Sequence, residues 1–457
     1  MKDSFYGYVR PNGEVGVRNH VLVIPSCRVC NIIANRIAAY AVGVKAVITT
    51  GEVCRHSRDR QRLADIYVGL ARNANVYATI ILALKKDNGY PEVRAERLKK
   101  RIDESGKPCV ILYMDDFGGQ DRLVEAGISQ ARLYVQEASR LRRQQVPISR
   151  LQIGVKCGWS DATSGISGNP AFGVAADMLV DAGGTVLFSE TTELIGAEEI
   201  VAQRCVDPAD GKRLIEMVAA VEAAAKATGE DIRTINPIPA NIAAGITTLE
   251  EKSLGAVRKA GSRPIAGVLE YCQRPNKHGL HFMDGWASAF SLPASLAAAG
   301  CVITLYQLGG GDLPRYDPPM LGTNTAVVAP LMYVTGNYRT AEKAERSIDF
   351  SSGGVLKGEY TLEQAGEALL EKIISVASGE YAKGETIRYQ DQIEPYDLRR
   401  SSGRRRMAEG RCHLRWNHGR FLEHLHNGRW RVPSQTYREH PLHGFPGRGA
   451  EQRAGRE

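Results

Sequence analysis

No apolar run in the 457 residues approaches the ~18 needed to cross a bilayer as a helix, so a membrane-spanning reading has nothing to rest on. Residues 1–12 are polar and aromatic, without the apolar centre of a signal peptide, and a cytoplasmic location is expected. A disulfide framework is also missing. The nine cysteines are odd in number and scattered, as expected of reduced thiols. Only Cys27 and Cys30 have CxxC spacing, and no second pair completes a zinc ribbon. Packing near a strand end, or a redox or metal role, both remain open for that pair. Solenoid-type repeats are absent. From residue 399 onward lysine and isoleucine vanish altogether.

That last absence locates the charge. The chain carries a formal +8. Residues 399–457 hold fourteen arginines against five glutamates, a net +9, so the other 398 residues sum to −1. The body is near neutral, and the positive field belongs to the tail. The tail also holds six of ten histidines and two of four tryptophans, with no strand or helix period. It reads as a nucleic-acid-binding arm, an unstructured extension or a change of reading frame. Blocks of like charge are more often disordered, which favours the last two and argues against a nucleic-acid partner.

What is present is an α/β pattern. Apolar runs at residues 20–25, 45–49, 76–82 and 109–114 alternate with helical stretches, including 30–42 and 121–144, as in parallel βαβ units. A boundary is expected near Pro147. Further strands are predicted at 151–155, 186–189, 265–269, 302–306 and 325–329, between Ala-rich helices such as 214–227 and 292–299. The expected organisation is two α/β domains with mainly parallel sheets, residues 1–146 and 147–398, and an unstructured basic tail, 399–457.

Three stretches carry chemistry. The first, residues 156–165 (KCGWSDATSG) with Asn169–Pro170, follows a strand. Its small residues, hydroxyls and Asp161 suit a loop that approaches a small anion. Alone it is as well explained as a Ser/Gly turn. The second, residues 189–198 (SETTELIGAE), gathers carboxylates at another strand end, where they can bind a divalent ion or act as acid and base. The third, residues 241–255 (NIAAGITTLEEKSLG), contains Lys252 among carboxylates. Thr247 or Thr248 capping a helix, with Glu251 as the reciprocal partner, competes with a functional role there. A lysine in such company can hold a carboxylate or serve as a base.

In this order the three stretches resemble the core motifs of the UxaA family, the altronate and galactarate dehydratases and the sulfolactate sulfo-lyase large subunit. Residues 279–284 (GLHFMD), Ala299–Gly300, and the opening FYGY with GEVGVRN agree as well. The likeness covers about residues 5–398 and has the form of a stand-alone large subunit. There are departures. Trp159 stands where the family has Gly or Glu, and Ala240, Ala243 and Ala244 stand where it has Gly. Leu308 to Gly311 replace a Thr-Gly-x-Gly pattern. In the first region Thr49 or Thr50 occupies the position of a His, and Lys85–Lys86 that of Cys-Glu or Glu-Pro, with Cys54 and His56 out of register.

The resemblance implies a hydro-lyase eliminating water beta to the carboxylate of a sugar acid. It implies a divalent metal, Fe2+ or else Mn2+, a possible separate small subunit, and a homo-oligomer. Removing the proton beside a carboxylate creates a dianionic aci-carboxylate, which a metal or fixed charge must stabilise. Asp161, Glu190 and Glu193 are the expected metal ligands. Lys252, Glu251 and Ser164 are the expected catalytic groups, with Lys252 as base or carboxylate clamp. Ser160, Thr191, Asn241 and Thr248 are expected to bind substrate. The rival readings are a sulfolactate-type sulfo-lyase subunit and a non-catalytic sugar-acid-binding subunit.

Overall fold

A computed structural model describes residues 3–49, 51, 56–85, 90–229, 231–310, 324–387 and 392–394. The expected tail, with Thr50, Cys54, Lys86 and Gly311, lies outside the described residues.

The chain opens on β1 (Ser4–Val9) and β2 (Val15–Gly16). It then enters a four-stranded parallel sheet made of β3 (His20–Pro25), β4 (Val44–Ala46), β5 (Val76–Ala83) and β6 (Cys109–Tyr113), in the order β4-β3-β5-β6. Their side chains are apolar on both faces because helices cover both. The expected helix 121–144 ends earlier, as Gln120–Ala138. Residues Gln144–Pro147 form β7, which pairs antiparallel with β1, so the predicted boundary is an edge strand that closes a small sheet β2-β1-β7.

The rest builds a seven-stranded sheet from β8 (Gln152–Gly158), β9 (Thr185–Phe188), β10 (Ile265–Leu269), β11 (Gly279–Met283), β12 (Ile303–Leu308), β13 (Leu331–Thr335) and β14 (Phe350–Ser351). The order is β10-β11-β9-β8-β12-β13-β14 and every pairing is parallel. The expected strand 325–329 is instead a buried turn with Val327 at φ 61°, and the strand begins after Pro330. The fold is thus α/β with two parallel sheets.

The two sheets share apolar packing. Helix Ser57–Arg72 lies on helix Leu292–Ala298, and Leu63, Ala64, Ala294 and Ala298 belong to one core cluster. Contact is close because Gly69 has no Cβ; one built there would lie 2.5 Å from the Ala298 carbonyl oxygen. Cys27 and Cys30 are buried in the core around the first sheet, their sulfurs 3.5 Å apart without a disulfide. No helix among the described residues is long and apolar enough to cross a membrane.

The topology points to one place. From β8 the chain steps to β9 on one side, fills that side with β10 and β11, and returns through β12 to the other side of β8. Open parallel sheets bind ligands outside the carboxyl ends of the strands where the order reverses in this way.

Candidate active site

At that switch point β8 delivers Lys156 and Cys157, and the chain beyond β9 delivers Glu190. Glu190 adopts φ 80°, ψ 63°, a left-handed conformation that costs a non-glycine residue about 1–3 kcal/mol and persists only where the surroundings impose it. The consequence is a carboxylate turned into the core. Glu190 Oε2 accepts from the Cys157 backbone N–H (3.1 Å) and lies 2.8 Å from Lys259 Nζ. Lys156 Nζ approaches Oε1 at 3.4 Å. All three side chains are at most 2% exposed. Burial alone would raise the Glu190 carboxyl, but Lys259 and Lys156 outweigh it and hold the group below its ordinary range. Burial likewise works against both ammonium groups. For Lys156, Tyr306 and then Glu190 reverse it; for Lys259, Cys157 and Glu190 do, so both lysines stay above their ordinary value. Lys156 sits 4.3 Å over the Tyr306 ring. Burial, followed by Glu190, pushes the Cys157 thiol up to about 11.

A second ion pair stands beside the first. Lys252, on helix Leu249–Val257, lies 3.2 Å from Glu193 Oε2 and donates to Asn236 Oδ1 at 2.7 Å. The two side chains are 12% and 11% exposed, so this pair is more open than the first. Thr248 starts the helix by accepting from Glu251 N (3.1 Å), and Glu251 in turn accepts from Thr247 N (2.7 Å). Thr248 is thus the cap, as the competing role has it, while Glu251 bonds Thr247, one residue before the cap, instead of the cap residue's own N–H.

One cavity of about 370 Å³ receives these groups. Of the residues expected at the site, Ser160, Glu190, Glu193, Asn241 and Lys252 line it. Five others are placed elsewhere. Asp161 turns inward and accepts from Thr163 Oγ1 (2.6 Å), Ser164 N (3.0 Å) and Asn337 Nδ2 (2.9 Å). Ser164 is buried between Asp161 and Gln307. Thr191 donates to Asp284 Oδ1 (2.7 Å) and accepts from Gly285 N (3.1 Å). Thr248 and Glu251 sit in the exposed cap. Asn241, although it lines the cavity, also donates to the Ser160 carbonyl at 2.8 Å and so ties the third stretch to the first. Lys156 and Tyr306 line the cavity without having been singled out, and Lys259 stands directly behind it. Lys156 did carry a signal, a lysine inside an apolar parallel strand. Lys259 carried none.

The first region reaches the periphery. Arg62, from helix Ser57–Arg72, lies 3.9 Å from Asp284 Oδ2, and Asp284 is the group that holds Thr191.

The donor set does not match the expected Fe2+ or Mn2+. Glu190 is held between two ammonium groups, Glu193 is paired with Lys252, and Asp161 is filled by hydrogen bonds from neighbours. Among the described residues no three His, Cys, Asp or Glu side chains are placed to share one ion.

A parallel sheet with a charged cavity at its switch point is the architecture of an α/β enzyme. Profiles described as "D-galactarate/Altronate dehydratase, C-terminal" and "D-galactarate dehydratase/Altronate hydrolase, second domain" match residues 148–399 and 7–139. The chain belongs to this dehydratase family and is a lyase. It is 32% identical over 392 residues to the (2R)-sulfolactate sulfo-lyase subunit beta of Chromohalobacter salexigens, covering 85% of this chain and 96% of that protein. It is 30% identical over 386 residues to the altronate dehydratase of Escherichia coli, covering 81% and 73%. To the galactarate dehydratase (L-threo-forming) of E. coli it is 33% identical over 297 residues, covering 64% and 55%.

Proposed function

We propose that this cavity binds the carboxylate of a 2,3-dihydroxy acid and eliminates water beta to it. The observation that carries the reading is the charge gathered at one switch point: Lys156, Lys252 and Lys259 against Glu190 and Glu193, a formal +1 that a substrate carboxylate completes. Lys252 clamps that carboxylate, and Lys156, held protonated behind it, fixes the field. Glu193, read from the sequence as a metal ligand, is the base that takes the proton beside the carboxylate. The same proton then leaves with the beta hydroxyl as water, so the step balances without another donor. Ser160 and Asn241 supply hydrogen bonds to the polyol.

The relative from C. salexigens, covered over 96% of its length, supports a second reading of the leaving group, in which the same proton removal expels sulfite. Its description as a subunit also supports a separately encoded small partner for this chain. The experiment is a product assay with altronate, galactarate and sulfolactate on the wild type, Lys252→Ala and Glu193→Gln. The wild type is expected to form a keto acid from at least one, and each variant to lose at least a hundredfold in turnover with an unchanged circular dichroism spectrum. Binding without turnover by the wild type, with a candidate small subunit present, would instead leave a sugar-acid-binding subunit. Full activity in both variants would refute the assignment.

A further inference from the structure

Cys27 and Cys30 take no part in the proposed reaction. Neither lines the cavity, yet their sulfurs meet. Residues Arg28–Cys30 form a short helical turn between β3 and helix Asn31–Tyr40, and Cys30 N donates to the Cys27 carbonyl at 3.0 Å. A turn closed in this way holds its end Cα atoms within about 7 Å, inside the span of a disulfide. The sulfurs stand 3.5 Å apart, in contact but well beyond the ~2.05 Å of an S–S bond. Rotation about the two Cα–Cβ bonds closes that gap, because the backbone is already in place. The turn sits at the surface, with Arg28 and Val29 exposed and the two sulfurs directly beneath them, 5% and 0% exposed as residues. The ten-residue helix that follows favours negative charge at its start, where a thiolate forms for the reaction to begin.

We propose that Cys27 and Cys30 are a reversible dithiol–disulfide couple, a modification site for small hydroperoxides. The step balances with hydrogen peroxide as the oxidant. One sulfur, as its thiolate, takes an oxygen and becomes a sulfenic acid, and hydroxide leaves with the thiol's proton as water. The second sulfur displaces that oxygen as another water, and the S–S bond forms. Two thiols and one peroxide thus give one disulfide and two waters, and an added dithiol reverses the change by exchange. Elsewhere the fold guards against the same chemistry. Burial pushes the Cys157 thiol up to about 11 and those of Cys109 and Cys301 up to about 12, so each keeps the proton it would lose to react.

Trypsin reads the bond directly, because it cuts after Arg28, between the two cysteines. Folded, reduced full-length protein is treated with hydrogen peroxide and its remaining thiols are blocked with iodoacetamide. The tryptic digest is then analysed by mass spectrometry, with a guanidinium-unfolded sample alongside. Peptides 19–28 and 29–36 are expected to separate from the reduced protein. From the oxidised protein they are expected as one linked species, lighter by two hydrogens. The link should outpace oxidation at Cys109, Cys157 and Cys301 at least tenfold, leave the circular dichroism spectrum unchanged, and open again in dithiothreitol. A link that appears only in the unfolded chain, a bond from either cysteine to a different one, or sulfinic acid at either sulfur in place of the link overturns the inference.

Discussion

Replacing Lys259 with methionine isolates the buried charge. Lys259 Nζ and Glu190 Oε2 are 2.8 Å apart and both side chains are 1% exposed. At an effective dielectric constant of about 20 their attraction is about 6 kcal/mol before desolvation. Breaking a buried pair by deleting one partner costs about 3–5 kcal/mol, because the other charge is left uncompensated. Here Lys156 remains 3.4 Å from the same carboxylate, so the loss belongs at the lower end, about 3 kcal/mol. In a protein of this size that lowers the melting temperature by roughly 3–4 °C. The pH dependence follows with its sign. In the wild type the Glu190 carboxyl is depressed, so its contribution is present above the unfolded carboxylate value and fades as pH falls through the folded one. Without Lys259 the remaining burial works to raise that carboxyl, so the stability gap between the proteins is widest at neutral pH and narrows on acidification. Differential scanning fluorimetry from pH 4 to 8 reads both effects. Lys259→Met/Glu190→Gln removes the carboxylate as well and leaves the buried Lys156 ammonium without its partner, so the melting temperature should stay below wild type and turnover at least a hundredfold down. A single variant within 1 °C of wild type at pH 7, or a double variant that turns over normally, would refute the reasoning.

Asp161→Ala strips the acceptor from Thr163, Ser164 and Asn337 and should cost about 2–4 kcal/mol in urea denaturation. Added Fe2+ or Mn2+ should move the melting temperature of this variant and of wild type equally, because hydrogen bonds fill that carboxylate; a shift confined to wild type would show metal at Asp161. Burial pushes the Asp349 carboxyl up to about 6, against the backbone N–H groups of Lys383 and Tyr333 that favour its ionised form. Its favourable contribution is therefore complete below the unfolded carboxylate value and is lost as pH rises through about 6. Wild type should lose about 2–3 kcal/mol relative to Asp349→Asn between pH 4 and 8, and a flat or rising difference would contradict this. Gly69→Ala forces a methyl onto the Ala298 carbonyl, and a loss of about 1–3 kcal/mol in thermal unfolding is expected.

The strands legible in the sequence are those whose apolar runs are buried on both faces, such as β3, β5, β8 and β12. The same rule misplaced one. Residues 325–329 and 331–335 are both apolar runs, and composition does not tell which one pairs; Pro330 and the left-handed Val327 make the first a turn. The expected helix 121–144 overruns its observed end at Ala138 because no glycine or proline follows until Pro147, whereas Gln144–Pro147 forms a strand only through its distant partner β1. At the site, the three stretches and Lys252 were readable from local pattern. Which polar groups face the cavity was not, because Asp161, Ser164 and Thr191 resemble site residues in one dimension and are committed to neighbours in three. Lysine in an apolar parallel strand is a signal that would have found Lys156. Lys259 meets Glu190 across 69 residues of chain and has no local mark.

The charges behave as one device in the proposed step. Empty, the cavity carries +1 from three lysines and two glutamates. A bound carboxylate brings it to zero. When Glu193 takes the proton, the cavity rises to +2 while the substrate passes from −1 to −2, so the balance is kept through the point at which the enolate-like charge is greatest. Fixed charges of this kind stabilise a transition state only if they need not rearrange as it forms. Burial of Lys156, Lys259 and Glu190 supplies that rigidity: none of the three can swing into solvent, and Glu190 keeps a strained backbone to stay between them. The less buried pair, Lys252 and Glu193, is the one placed to meet substrate and move a proton. The fold thus separates the charge that must stay fixed, buried at the cavity's floor in Lys156, Lys259 and Glu190, from the charge that must change, on the less buried Lys252 and Glu193.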